Sequence, residues 1–189
     1  MFALMVGGLL VALLCLLLIR RRRERADDAW AFVEGFCRST GGHAQDFLHE
    51  YDEAISAISL YDQAVSLLDA EVEEAQAEAR RQGLPEEEAG IDANSDVIQA
   101  FAQAAALQNV RLEAASAAFE VFVQAQEILL QAANKARGQR QSSAKAFYDA
   151  KRAMEEVQPV IDAACEAHGQ LAALVEARQS ARAAERDAS

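Results

Sequence analysis

Apolar side chains recur every three or four positions along most of this 189-residue chain, and this spacing constrains the fold more than any other feature. One stripe runs from Leu48 to Ala79, a second from Val97 to Ala133, and a third from Phe147 to Val175. Residues three and four apart share one face of an α-helix, so each stripe predicts a long amphipathic helix. With two prolines and nine glycines, the chain lacks the frequent turns that a sandwich or barrel of short strands needs. The sequence therefore predicts an all-α fold.

Long one-sided helices are stable in water when they bury their stripes against one another. We expect an antiparallel bundle of three to four long helices over residues 26–177, with Gly41-Gly42 as the first break in the chain. Gly83 is expected to end the next helix, and Pro159 is expected to kink the last one. A homo-oligomeric coiled coil would use the same stripes and stays open as an alternative.

Smaller sequence signals refine this outline. Asp92, Asn94 and Ser95 are N-cap candidates for the second long helix. Asp62 is the one misfit on the first stripe between Ile58 and Val65. Residues 178–189 carry no large apolar side chain and are predicted to be a frayed, charged tail.

Residues 1–19 contain no charged side chain, and a basic cluster at 20–25 follows directly. A helix of that length spans roughly 28 Å, close to the hydrocarbon thickness of a bilayer, which predicts a single transmembrane anchor. A cleaved signal peptide would carry its basic residues before the apolar run, so the uncleaved anchor is favoured. Basic residues stay on the cytoplasmic side, which predicts an N-out protein with a cytoplasmic helical domain. The side chains expected to fix this topology and to contact lipid headgroups are Arg20, Arg21, Arg22, Arg23 and Arg25.

The formal net charge of −12 is unevenly distributed. Residues 26–189 hold 13 basic against 29 acidic side chains, a net charge of −16. Such a surface repels phosphate backbones, so no nucleic-acid partner is expected. The side chains that form a candidate acidic surface for a protein partner are Glu71, Glu73, Glu74, Glu78, Glu86, Glu87 and Glu88.

Candidate chemical sites are few. Asp46, His49 and Glu53 share one helix face, but a carboxylate-bridged metal bundle needs Glu-x-x-His motifs, which the chain lacks. No catalytic or phosphate-binding motif is present either. The sequence predicts a protein that is not an enzyme, binds no metal or cofactor, and has no identified small-molecule substrate.

The three cysteines are the remaining reactive side chains. In the reducing cytoplasm Cys15, Cys37 and Cys165 are expected to be free thiols, the last two packed as small apolar groups. If the domain instead faces an oxidising compartment, Cys37 and Cys165 become a candidate disulfide.

Short motifs give the chain a resemblance to a known family. Asp-Asp-Ala-Trp at Asp27 to Trp30, His49-Glu50, and Ala-x-x-Phe-Tyr-Asp-Ala at Ala144 to Ala150 resemble motifs of the LemA family. Its members carry Glu-Ala-Trp after an N-terminal anchor, then His-Glu, then Tyr-Asn-x-Ala. The family's Arg-Arg-x-Asp-Leu-Ile-Pro-Asn-Leu motif has no counterpart here. The resemblance implies a membrane-anchored antiparallel helical bundle and no established catalytic residues.

Together these features predict a membrane-anchored, non-enzymatic helical scaffold. Its acidic cytoplasmic bundle is expected to bind a protein partner or to assemble with itself as a homo-oligomer. The alternative is a sensor or transducer in which Pro159 and polar residues on the stripes permit two packings of the bundle.

Overall fold

The computed structural model describes the backbone of residues 2–83, 85, 95–139 and 142–188. Within those ranges it describes the side chains from Leu13 on, apart from 182 and 185–188. The described residues form three long α-helices and no strand: α1 (Phe2–Gln82), α2 (Asp96–Arg137) and α3 (Ala144–Ala188). The all-α prediction and the helical bundle are confirmed.

The ends of the helices lie where turn and cap chemistry place them. Gly83 ends α1 with a φ of 71°, a conformation that glycine adopts without steric cost. The Ser95 hydroxyl accepts hydrogen bonds from the amides of Val97 and Ile98 and so caps α2. Of the three predicted cap residues, Asp92 and Asn94 lie outside the described residues. The Ser143 hydroxyl accepts from the Ala146 amide at the start of α3, and the Asp27 carboxylate accepts from the Ser143 amide.

The predicted membrane anchor needs correction. Among the described residues, no helix is both long enough and apolar enough to cross a membrane. The described apolar run from Leu13 to Ile19 ends at Arg20, and seven helical residues span roughly 10 Å, about a third of a bilayer core. The prediction of a single-pass, N-out membrane protein with a cytoplasmic helical domain is therefore wrong by this finding. The side chains of Met1 to Ala12, which supply the rest of the predicted span, lie outside the described residues.

The chain divides into two compact units, and each of the three helices contributes to both. Unit 1 comprises residues 1–45 and 119–166. Its core joins Trp30, Val33 and Cys37 of α1 to alanines of α2 and α3, and the Trp30 ring meets Phe147 edge-on with centroids 5.1 Å apart. The Thr40 hydroxyl donates a 3.2 Å hydrogen bond to the Ala125 carbonyl on α2.

Unit 2 comprises residues 46–118 and 167–189. Phe47 is fully buried there, and the Tyr61 and Phe101 rings lie 5.5 Å apart. Asp62, the misfit on the apolar stripe, forms an ion pair with Arg178 of α3. The predicted tail begins at Arg178, but α3 continues as a helix to Ala188.

Gly41-Gly42 does not break the chain as predicted, because α1 runs through both residues. A Cβ on Gly41 would lie 3.1 Å from both methyl groups of Val157, whereas a Cβ on Gly42 would meet nothing within 4 Å. Gly41 is buried and lets α3 approach α1 closely within unit 1. The glycine pair therefore serves helix packing at its first position and is exposed at its second.

This difference predicts different responses to alanine at the two positions. Gly42→Ala is expected to raise the free energy of unfolding by about 0.5–1 kcal/mol, because alanine favours the helix and removes backbone freedom from the unfolded chain. Gly41→Ala is expected to lose that gain, because its methyl group presses on Val157. Urea unfolding followed by circular dichroism measures both, and an equal gain at the two positions would contradict the packing role of Gly41.

Candidate protein-binding groove

An open groove of about 610 Å³ lies between α1 and α2 within unit 1. Both helices present one face to it at three- and four-residue spacing. We call this surface the α1–α2 groove; its lining residues are Arg25, Asp28, Ala29, Phe32 and Phe36 on α1, and Ile128, Gln131, Ala132, Lys135 and Gln139 on α2. The half-buried Ala29 and Ala132 leave room between the helices, which makes the surface concave.

The apolar part of the groove is accessible to solvent. Phe32 is 64% exposed and Ile128 is 47% exposed. Phe36 stacks on Phe32, with centroids 6.5 Å apart and ring planes 26° apart. Clustered exposed aromatic and aliphatic side chains on a concave surface are typical of protein-interaction sites, because their burial against a partner is favourable.

The charged part of the groove is mainly basic. Arg25 and Lys135 are exposed, and neither forms an ion pair with a described residue. Asp28 is the one carboxylate among the lining residues described. Arg21 and Arg22 lie one turn before Arg25 on α1, so the positive charge extends beyond the groove. An occupant with an apolar patch and acidic side chains would complement this surface.

One of the five predicted basic site residues lies at the groove. Arg20, Arg21, Arg22, Arg23 and Arg25 are all exposed on α1, and Arg25 lines the groove. Arg20 pairs with Glu24 at 3.0 Å, four residues further along the helix. Their predicted role at lipid headgroups stays a prediction.

The predicted acidic surface lies on α1 in unit 2. Glu73, Glu74 and Glu78 are exposed, and Glu71 is half-buried and accepts a hydrogen bond from the Ser95 hydroxyl. Glu78 pairs with Arg81 at 3.1 Å. The other three members, Glu86, Glu87 and Glu88, lie outside the described residues.

A second cavity of about 390 Å³ lies within unit 2 and is mostly apolar. Phe47, Leu112 and Leu171 line it, together with His168, whose ring lies 6.4 Å from the Phe47 ring. His168 sits among packed side chains, as its place on the α3 stripe predicts. Glu176 is the one carboxylate among the lining residues described.

Glu53, one of the three residues weighed as metal ligands, lies beside an arginine. Arg111 contacts Glu53 at 3.2 Å and Glu50 at 3.7 Å within unit 2. Glu50 Oε2 is buried without a hydrogen-bond partner, so the guanidinium charge is what offsets its desolvation. The described residues contain no cluster of three or more side chains that could hold a metal ion.

The cysteines differ in burial, although all three are free thiols. Cys37 is buried as predicted, and desolvation, helped by the charge of Glu34, raises the pKa of its thiol. Burial thus keeps Cys37 protonated and unreactive. Cys165 is exposed, contrary to its predicted packing, because its position on α3 lies between the buried Ala164 and Ala167 and points away from them.

Comparison with known proteins adds no identification: no protein-family model matches the chain, and no curated protein or solved structure is significantly similar to it. The resemblance to the LemA family stays a prediction.

Sequence reasoning missed the groove itself. The apolar stripes were assigned to the core, and no groove was predicted around Phe32 and Phe36. A signal was present, because Ile128 lies one position from Leu129 of the α2 stripe and therefore could not share its face.

Proposed function

We propose that this chain is a non-enzymatic interaction protein whose helical bundle docks an amphipathic helix of a protein partner in the α1–α2 groove. The observation that carries the proposal is the exposure of Phe32, beside Phe36 and Ile128, in a concave surface with basic side chains at one end. The sequence adds that no catalytic motif competes with a binding role.

Helix-in-groove recognition needs an apolar groove and anchors at helical spacing on the occupant. Phe32 and Phe36 lie four residues apart on α1, and Ile128 faces them from α2. An occupant helix would bury its apolar anchors among these three side chains. Its acidic residues would then meet Arg25 and Lys135, which fix its direction and register.

The sensor alternative stays a prediction; α3 continues as a helix through Pro159. A docking role requires no change in the bundle.

The proposal predicts selective binding of an acidic amphipathic helix. We expect a fluorescein-labelled 18-residue helical peptide, with leucines on one face and glutamates beside them, to bind the full chain in a fluorescence-anisotropy titration. Phe32→Glu is expected to weaken this binding by roughly tenfold or more, because it places a charge among the apolar anchors and repels the acidic peptide.

Two controls make the test specific. Tyr148→Glu changes an aromatic side chain of unit 1 that is 63% exposed, nearly the same as Phe32, but that does not line the groove. It is expected to leave the affinity unchanged. A peptide with lysines in place of the glutamates is expected to bind much more weakly; equal binding of the two peptides, or equal loss in the two variants, would contradict the proposal.

A further inference from the structure

We infer that the α1–α2 groove is occupied by a second copy of this chain, through the exposed face of α1 in unit 2 that carries Leu60, Leu67 and Glu74. This inference rests on the proposed function and names the partner. It is carried by three independent features of the molecule: apolar exposure, charge and residue spacing.

The exposed face of α1 in unit 2 is itself an amphipathic, acidic helix surface. Leu60 is 49% exposed and Leu67 is 59% exposed, and the two lie seven residues apart, two turns along one face. Glu71, Glu74 and Glu78 continue this face toward the C-terminus of α1. Glu74 is exposed and forms no ion pair with a described residue, so its charge is available to a partner.

The charges of the two surfaces are complementary. The groove has its basic side chains at Arg25 and Lys135, and the positive charge continues through Arg22 and Arg21. The net charge of −12 makes two copies repel each other overall. The basic cluster is the part of the chain where an acidic surface of another copy is attracted instead.

The spacing of the two surfaces also matches. On α1, Arg25 and Arg21 lie 7 and 11 residues before Phe32. On the acidic face, Glu74 and Glu78 lie 7 and 11 residues after Leu67. At 1.5 Å per residue both separations of apolar anchor and charge are roughly 10 and 16 Å.

This match fixes the direction of the contact. The groove runs from apolar to basic toward the N-terminus of its α1, and the acidic face runs from apolar to acidic toward the C-terminus of its α1. When the two α1 helices are antiparallel, the apolar side chains of one surface therefore meet those of the other, and the basic side chains meet the acidic ones. Leu67 of one copy then packs between Phe32 and Ile128 of the other, and Glu74 reaches Arg25.

Charge reversal provides the decisive test. Sedimentation velocity of the full chain is expected to show concentration-dependent association. The double variant Arg25→Glu, Lys135→Glu is expected to abolish it, as is Glu74→Lys, Glu78→Lys. Mixing the two variants is expected to restore association, because the reversed groove of one meets the reversed helix face of the other. All four positions are exposed, so circular dichroism should show both variants folded.

A matched apolar pair checks the anchors. Leu67→Glu is expected to weaken association by roughly tenfold or more, and Val110→Glu is expected to have no effect. Val110 is 60% exposed in unit 2, nearly the same as Leu67, but it lies on α2 and outside the proposed contact.

The outcomes separate this inference from the proposed function. A chain that stays monomeric at all concentrations, yet binds the acidic peptide in a Phe32-dependent manner, overturns the second copy as occupant and keeps the docking role. Association that persists in both charge-reversal variants also overturns the inference. A chain that neither associates nor binds the peptide contradicts the docking role as well.

Discussion

Replacing Phe47 by alanine is expected to lower the free energy of unfolding by about 3–5 kcal/mol. Phe47 is fully buried in unit 2, and its ring lies 6.4 Å from the rings of both Tyr51 and His168. Truncation removes an aromatic side chain from water-excluded packing and enlarges the neighbouring cavity that Phe47 lines. Urea unfolding monitored by the helical circular dichroism signal measures the loss.

Phe32→Ala is the matched control, because it removes the same atoms from a side chain that is 64% exposed. Its stability is expected to stay within about 0.5 kcal/mol of the original chain. Equal losses for Phe47→Ala and Phe32→Ala would show that the two positions are not buried and exposed as described.

Replacing Pro159 by alanine is expected to raise the free energy of unfolding by about 2 kcal/mol. Proline lies inside α3, where it has no amide hydrogen to donate to the Glu155 carbonyl and costs about 3 kcal/mol relative to alanine. Up to about 1 kcal/mol of this is returned, because proline also restricts the unfolded chain. Pro159 is exposed, so alanine leaves no cavity behind.

Gly169→Ala provides a control on the same helix. Gly169 is exposed, and a methyl group on its Cα would meet nothing within 4 Å, so alanine should gain about 1 kcal/mol from helix propensity alone. Thermal and urea unfolding should therefore rank Pro159→Ala above Gly169→Ala. A loss of stability in Pro159→Ala would contradict the expected cost of proline inside α3.

Local sequence signals predicted the elements of this fold well. The α2 stripe is a clear case: Gln108, Ala115, Phe122 and Ala133 are all buried, as their spacing indicates. Gly83 and Ser95 also end and begin helices where predicted. These features depend on a residue and its neighbours within a few turns, which is the information that a single sequence carries.

Signals that depend on a distant partner were misread. Asp62 was a misfit until Arg178 of α3 supplied its counter-ion, and Gly41 was a break until Val157 supplied the close contact. Alanine accounts for thirteen of the twenty buried apolar residues described, and an alanine stripe says little about which neighbouring helix it meets. The predicted anchor was wrong for another reason. It was inferred from the hydropathy of residues 1–19 alone, and no described helix has an apolar run long enough to cross a membrane.

An all-α chain, the helix end at Gly83, the helix start at Ser95 and the uneven charge followed from the amino-acid order alone, because helix periodicity, caps and charge are local properties. Tertiary packing, in contrast, determined which apolar residues were left outside the core. Phe32 of α1 and Ile128 of α2 line one groove, although they lie about a hundred positions apart in the sequence. Side chains so distant in sequence become one surface through helix packing, which no local pattern encodes.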